Sequence, residues 1–206
     1  KEDLELLYEQ LDTLKDDDVL VLAGSIPSGM PQSIYRDIMS RLQSKRIKIA
    51  VDATKDLLMN VLAYHPFVIK PNNHELSEIF DIMIDSKEKA VVYAKELQKK
   101  GAQNVIVSMA GEGAVFVGSD GSVFTSEAPH GVVKNSVGAG DSMVAGFLAG
   151  YLAKGDYAEA FKMGLCTGSA SAFSELLATE AEIRREKKWS RYDVHIYLIF
   201  KKGELL

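Results

Sequence analysis

The chain has 206 residues, of which 47% are hydrophobic and 26% are charged, and its formal net charge is −5 at pH 7. This length suits one α/β domain with a buried core, and the acidic balance disfavours nucleic acid as a partner, because no basic excess is present to neutralise phosphates. No apolar run approaches the length of a membrane span, and the start Lys1–Leu4 lacks a signal pattern. We therefore expect a protein of the reducing cytoplasm with no membrane partner, in which the single cysteine, Cys166, is a buried packing residue.

Helical and strand-like patterns alternate from the start of the chain. Leucines recur at helical spacing between Leu4 and Leu14, and the continuous apolar run 19–23 is typical of a strand buried on both faces. Further strands, each preceded by a helix, are predicted at 47–51, 67–69 and 104–108. A hairpin is predicted from 114–117 and 122–125, and two long helices are predicted at 140–153 and 157–174. This alternation predicts one α/β domain with three layers and a doubly wound, mainly parallel sheet.

Polar residues stand where four of the predicted strands end. They are Gly24-Ser25, Asp52, Lys70-Pro71-Asn72 and Ser108. In open α/β sheets, ligands bind outside the carboxyl ends of the strands. We therefore expect these residues to line one edge of the sheet, where a ligand binds.

The segment Lys134–Met143 carries the clearest chemical signal. Gly138, Ala139 and Gly140 stand at the mouth of an apolar helix, where free backbone N–H groups and the helix dipole can hold a phosphate. Asp141 follows at once, and a carboxylate is unfavourable beside a phosphate unless it accepts a proton or binds a metal. The dinucleotide fingerprint is excluded because Met143 replaces its third glycine, and the P-loop pattern is absent. An ordinary first-turn acid remains the alternative for Asp141.

The sequence Asn-Ser-Val-Gly-Ala-Gly-Asp-Ser at 135–142 resembles the second signature of the ribokinase/PfkB family of carbohydrate kinases. Other segments resemble, in the family's order, its Gly-Ser-x-Pro-x-Gly loop, its Asn-x-x-Glu motif, its nucleotide-side strand and turn, and its late helix beside the adenine. These segments are 23–29, 70–75, 107–114 and 168–174. The resemblance extends from Leu4 to about Ile183 and implies a ribokinase-like fold.

The resemblance implies a role for each residue of the glycine-rich segment. Asp141 would be the general base that takes the proton of the acceptor hydroxyl group. The amides of Gly138, Ala139 and Gly140 would form the anion hole for the transferred phosphoryl group. This agrees with the anion-binding geometry expected from the residues themselves, because phosphoryl transfer depends mostly on positioning and electrostatic stabilisation.

The resemblance also implies ATP and Mg²⁺ as cofactors. Asn72 and Glu75 would organise the metal ion through water, and hard oxygen ligands suit Mg²⁺. Four other residues would shape or contact the nucleotide pocket, namely Ser108, Gly111, Gly113 and Asn135.

The acceptor implied by the resemblance is a small sugar phosphate. Within the family, the chain looks most similar to bacterial 1-phosphofructokinases, which implies conversion of fructose 1-phosphate to fructose 1,6-bisphosphate. A tagatose-6-phosphate kinase and a catalytically inactive nucleotide-binding fragment are the alternatives. Such family members are commonly dimers, so a homodimer is one arrangement that the resemblance implies.

The resemblance divides the chain into two parts. Residues 1–183 would be the nucleotide-binding portion of a ribokinase-like domain, and residues 184–206 an atypical carboxy-terminal tail of unknown role. In the tail, apolar residues alternate from Tyr192 to Phe200 as in a strand. The family's amino-terminal portion and its lid are expected to be missing.

Overall fold

The structure is a computed structural model that describes residues 2–27, 29–189, 200–201 and 204–205. The helices are α1 (Glu2–Asp12), α2 (Ile34–Leu42), α3 (Lys55–Met59), α4 (Asn73–Phe80), α5 (Lys87–Lys99), α6 (Ala139–Lys154), α7 (Tyr157–Phe173) and α8 (Glu180–Trp189). The strands are β1 (Val19–Ala23), β2 (Lys48–Asp52), β3 (Val68–Ile69), β4 (Asn104–Ser108), β5 (Ala114–Val117), β6 (Val123–Ser126), β7 (Phe200–Lys201) and β8 (Glu204–Leu205). Short 3₁₀ turns occupy Leu62–Tyr64 and Ala110–Glu112.

The main sheet has six strands in the order β1-β2-β3-β4-β5-β6. Strands β1 to β4 pair in parallel, and β5 and β6 are added antiparallel. The prediction of a mainly parallel sheet is therefore confirmed. The register pairs Val51 of β2 with Ile69 of β3, so the next residues, Asp52 and Lys70, lie side by side at the carboxyl ends of their strands.

Apolar side chains from alternate strand positions enter two separate cores. One core lies between the sheet and helices α1 to α5, and the other lies between the sheet and helices α6 and α7. In β2, for example, Val51 packs into the first core and Ala50 into the second. Helices on both faces of the sheet give the three predicted layers.

The consecutive strand order explains which helices lie on which face. Parallel crossovers are right-handed, so crossovers that always step in the same direction place their helices on one side of the sheet. The opposite face is left to α6 and α7, which come after the last strand of the main sheet. These two helices bring the glycine-rich segment to the sheet.

Helices α6 and α7 approach each other backbone to backbone. A Cβ atom at Gly150 would lie 2.8 Å from the Cα of Ala160, and one at Gly164 would lie 2.8 Å from the carbonyl oxygen of Met143. A Cβ at Gly168 would lie 3.0 Å from the carbonyl oxygen of Ala139. Side chains larger than hydrogen at these positions would push the helices apart, so the glycines fix α7 against the beginning of α6.

The carboxy-terminal region is only partly described. Helix α8 crosses residues 183 and 184, and β7 pairs antiparallel with β8. The strand predicted between Tyr192 and Phe200 lies almost wholly outside the described residues, and the division of the chain at residue 183 stays a prediction, as does the homodimer. In the described ranges, no helix combines the length and the apolarity needed to cross a membrane.

Candidate active site

The carboxyl ends of β1 to β4 lie at one edge of the sheet, where hydrogen bonds join the segments that follow neighbouring strands. The N–H group of Gly24 donates to the carbonyl oxygen of Asp52 at 3.1 Å, and that of Ser108 donates to the carbonyl oxygen of Pro71 at 3.1 Å. Asn72, which follows β3, also forms a parallel bridge with Ser108, the last residue of β4. The polar residues expected at this edge are therefore brought together.

A cavity of about 810 Å³ opens at this edge. Six of the residues expected at the site line it: Asn72, Ser108, Gly111, Gly113, Ala139 and Gly140. Helix α7 supplies the facing wall through Leu165, Gly168, Ser169, Ala172 and Phe173. The other four expected residues, Glu75, Asn135, Gly138 and Asp141, are not among the lining residues.

The glycine-rich turn begins α6 with exposed backbone amides. Gly138 is the N-cap residue and has a φ of 79°, a left-handed conformation that favours glycine. The N–H of Ala139 donates to the carbonyl oxygen of Ser136 at 3.2 Å, so one of the three expected anion-hole donors already has a partner. In an α-helix, each N–H group donates to the carbonyl oxygen four residues earlier, but the N–H groups of the first turn have no such carbonyl within the helix. The N–H groups of Gly140 and Asp141 therefore lack this helical hydrogen bond. These two amides and the helix dipole make the turn suitable for an anion.

Asp141 lies in the first turn of α6, and its side chain is exposed. A carboxylate in this position can reach a hydroxyl group that enters the edge from solvent. The pKa of the nearby Asp52 carboxyl is raised mainly by burial, and the charge of Asp141 adds to this rise. The turn therefore carries both an anion-binding backbone and a proton acceptor.

Behind the turn lies an ion pair between two residues that were expected at the edge but had no predicted role. Lys70 Nζ lies 3.2 Å from Asp52 Oδ2, and the two side chains are 7% and 17% exposed. Burial raises the pKa of the Asp52 carboxyl, and the Lys70 ammonium group acts in the opposite direction. In the sequence, this pair is indicated by one acidic and one basic residue, each of which directly follows an apolar run predicted as a strand.

Asn72 and Glu75 form a capping box at the start of α4. The side chain of Asn72 accepts from the N–H of Glu75 at 2.8 Å, and Glu75 Oε2 accepts from the N–H of Asn72 at 2.8 Å. Two hydrogen bonds thus fix the orientation of the Glu75 carboxylate, which is half-buried. The motif therefore begins a helix as well as presenting oxygen atoms to the edge.

Two other expected nucleotide residues have clear structural contacts. Asn135 Oδ1 accepts from the N–H of Val137 at 3.0 Å, and its Nδ2 donates to the carbonyl oxygen of Glu175 at 3.2 Å, so its side chain ties the turn to the segment after α7. Gly113 has a φ of 90°, and a Cβ atom there would lie 2.0 Å from the carbonyl oxygen of Ser126. Both residues shape the cavity through the backbone around it.

One wall of the cavity has no counterpart among the residues expected at the site. Ser126 at the end of β6 and the loop that follows it as far as Gly131 line the cavity. His74, inside the Asn-x-x-Glu motif, lines it as well. A Cβ atom at Gly131 would lie 2.4 Å from the ring of Phe173, so this loop packs directly on the end of α7. No periodicity in the sequence indicates a contact between a loop and a helix more than forty residues later.

The sequence pattern of the pfkB family carbohydrate kinases matches residues 1–183. The chain belongs to this family. The match includes the cavity, the capping box and the glycine-rich turn, and it ends before the carboxy-terminal region.

Individual pfkB relatives agree with this assignment. The chain is 44% identical over 184 residues to a 1-phosphofructokinase of Bacillus subtilis, an alignment that covers 89% of this chain and 60% of the relative. It is 30% identical over 165 residues to a D-tagatose-1-phosphate kinase of Bacillus licheniformis, covering 80% of this chain and 54% of the relative. The solved structure of phosphofructokinase-2 from Escherichia coli in complex with substrates and products matches with a TM-score of 0.85 and 27% identity. That match covers 93% of this chain and 63% of the other.

This pfkB chain thus spans about 60% of the length of the Bacillus subtilis relative. The fold class expected from the sequence, a ribokinase-like α/β domain, is confirmed by the phosphofructokinase-2 structure. The membership of the PfkB family that the sequence motifs indicated is confirmed by the family match.

Proposed function

We propose that this chain is the nucleotide-binding part of an ATP-dependent sugar-phosphate kinase, and that its acceptor is fructose 1-phosphate, which becomes fructose 1,6-bisphosphate. The observation that carries the proposal is the glycine-rich turn with Asp141, which borders the 810 Å³ cavity at the carboxyl edge of the sheet. The acceptor follows from the relative with 44% identity, a 1-phosphofructokinase. A tagatose phosphate is the second candidate, because a relative with 30% identity is a D-tagatose-1-phosphate kinase.

In this proposal, Asp141 acts on the acceptor hydroxyl group. Its carboxylate accepts the hydroxyl proton as the sugar oxygen bonds to the γ-phosphorus of ATP and the bond between that phosphorus and the bridging oxygen of ADP breaks. The exposed position of Asp141 gives the sugar access from solvent. The amides at the start of α6 stabilise the negative charge of the transferred group.

The nucleotide occupies the cavity between the turn and α7. Ser108, Gly111 and Gly113 form its wall on the sheet side, and the small residues of α7 leave room on the other side. Asn135 contributes by holding the turn against the segment after α7. The wall formed by α7 keeps its position relative to the turn because Gly168 packs against Ala139.

The edge fits a Mg²⁺ ion that is held mainly through water and phosphate oxygens. Over the described residues, no group of three or more His, Cys, Asp or Glu side chains is arranged to hold a metal ion directly. Glu75 is fixed with one carboxylate oxygen on the backbone, so its other oxygen can accept from a water ligand of the ion. A bound Mg²⁺ would supply charge neutralisation on the triphosphate.

The proposed function is tested by a coupled ADP-release assay with Mg-ATP and, in turn, fructose 1-phosphate, fructose 6-phosphate, tagatose 1-phosphate and tagatose 6-phosphate. We expect turnover with fructose 1-phosphate and a melting temperature that rises with ATP. A rise in melting temperature without turnover would show that the chain binds the nucleotide, but that the sugar site requires segments of the relatives that this chain does not cover. If ATP neither raised the melting temperature nor supported turnover, the proposal would be wrong.

The metal role of Asn72 is tested by comparing Asn72→Ala with Ser86→Ala. Each variant removes an N-cap side chain, from α4 and α5 respectively, and each is expected to lower the free energy of unfolding by about 1 kcal/mol. Only Asn72→Ala is expected to weaken the extra rise in melting temperature that Mg²⁺ adds to that of ATP. Equal Mg²⁺ effects in the two variants would show that Asn72 is a capping residue alone.

A further inference from the structure

A hydrogen bond between two serine side chains joins the beginning of α6 to α7. Ser171 Oγ, on α7, donates to Ser142 Oγ, on α6, at 2.9 Å. Ser142 directly follows Asp141, and its N–H donates to the carbonyl oxygen of Gly138 at 2.9 Å, which closes the first turn of the helix. The hydroxyl group of Ser171 thus holds α6 at the residue next to the proposed general base.

The same hydroxyl group also binds the segment that follows α7. Ser171 Oγ accepts from the N–H of Ala178 at 3.2 Å. Earlier in this segment, the carbonyl oxygen of Glu175 accepts from Asn135 Nδ2, which belongs to the glycine-rich segment. The beginning of α6, the end of α7 and the segment after it are therefore joined through one hydroxyl group.

Ser171 lies behind the wall of the cavity. It is 3% exposed, and neither Ser171 nor Ser142 is among the lining residues, although Ala172 is. Alanine would serve packing at position 171, because it has a higher helix propensity and no polar atom that must be hydrogen-bonded when buried. The serine is therefore explained by the two groups that its hydroxyl group binds.

The glycine-rich turn needs such a bond because its backbone has few restraints of its own. Gly138 and Gly140 are glycines, which have more conformational freedom than any other residue. Amides stabilise an anion best when their orientation is fixed before the anion arrives. Gly168 packs against Ala139 at the first residue of α6, and Ser171, nearly one turn further along α7, adds a directional bond.

We propose that Ser171 is a positioning residue for the glycine-rich turn. Its hydroxyl group fixes the beginning of α6 to the segment after α7, so that the amides of the turn keep the orientation that binds the terminal phosphates of the nucleotide. Adenosine, which has no phosphate, gains nothing from this orientation. The inference rests on the proposed function, since it takes the anion to be the triphosphate of ATP.

The test is the ratio of the dissociation constants for adenosine and ATP, measured by calorimetry on the whole chain with Ser171→Ala. We expect this variant to bind adenosine as the unmodified chain does, but to lose about two- to tenfold of the preference for ATP, the range of one net hydrogen bond. Hydrogen exchange at the amides of residues 138–142 should become faster. Ser171→Thr keeps the hydroxyl group and should restore both values.

Thr167→Val is the matched control. Thr167 also lies on α7 and faces α6, because a Cβ atom at Gly146 would lie 2.5 Å from its Oγ1. Its hydroxyl group donates to the carbonyl oxygen of Met163, within α7, at 2.7 Å. Valine removes this hydroxyl group and keeps the shape of the side chain, so neither the ratio nor the exchange at residues 138–142 should change.

The outcomes separate the inference from the proposed function. If Ser171→Ala kept the preference for ATP, or weakened the binding of adenosine and ATP equally, the positioning role would be wrong and the nucleotide site would stand. If the unmodified chain bound ATP no better than adenosine, the proposed function and the inference would both be wrong. Ser142→Ala removes the same hydrogen bond from α6 and serves if Ser171→Ala does not fold. An unchanged ratio in that variant would again overturn the positioning role.

Discussion

Asp141→Asn is expected to lower the rate of phosphoryl transfer by about 10²–10⁴-fold, the usual contribution of a general base. The amide has nearly the same shape as the carboxylate but does not accept the hydroxyl proton. Because Asp141 is exposed and lies outside the lining of the cavity, the variant should fold and should still gain stability from ATP. The measurement is kcat for ADP release with fructose 1-phosphate, with the melting temperature recorded with and without ATP.

A matched control distinguishes the base from an ordinary first-turn acid. Asp56 lies in the first turn of α3 and is exposed, as Asp141 is in α6. Asp56→Asn removes the same favourable interaction with a helix dipole, which contributes about 0.3–1 kcal/mol. If both variants changed stability slightly and neither changed kcat, Asp141 would be an ordinary helix acid and the assigned base would be wrong.

Gly113→Ala is expected to destabilise the fold by about 3–5 kcal/mol, from backbone strain together with steric overlap. Gly113 has a φ of 90°, and the added methyl group would lie 2.0 Å from the carbonyl oxygen of Ser126 and 2.6 Å from the carbonyl carbon of Glu127. Since those neighbours are backbone atoms, they have no alternative rotamer to adopt. The loop that lines the cavity would have to move away from β5, so ATP binding should fall together with stability. Urea denaturation and calorimetry with ATP measure the two effects.

Gly121→Ala separates strain from steric overlap. Gly121 has a φ of 83°, but a Cβ atom there would meet nothing within 4 Å. Gly121→Ala should therefore lower the free energy of unfolding only by the cost of a left-handed conformation for alanine, about 1 kcal/mol. ATP binding should not change. Equal losses of stability in the two variants would show that the contact with Ser126 contributes nothing.

Most of the fold could be predicted because its signals are local. The apolar run 19–23 was predicted as a strand and is β1 without a change of boundary, and residues 104–108 were predicted as a strand and are β4. The second strand of the hairpin begins at Val123, one residue later than predicted. Ser122 belongs to the turn instead, because its N–H donates to Asp120 Oδ1 at 2.9 Å.

The candidate site could be predicted only in part. The glycine-rich turn and the Asn-x-x-Glu motif lie on short stretches, so their spacing indicates both the helix starts and the chemistry. The contact between Lys70 and Asp52 depends on the register of two strands, and the contact between Gly131 and Phe173 depends on tertiary packing. Nothing in a single sequence specifies either. The occupied amide of Ala139 likewise depends on the conformation of the preceding turn.

The close packing of α6 on α7 has a consequence for the order in which the protein folds. The two helices are consecutive and are joined only by Gly155 and Asp156, so their contacts span short sequence separations. Local contacts of this kind form fast, whereas the parallel strands β1 to β4 must first close long loops. We expect α6 and α7 to associate early, so that the turn and the facing wall of the cavity are already joined when β2 and β3 bring Asp52 and Lys70 beneath them.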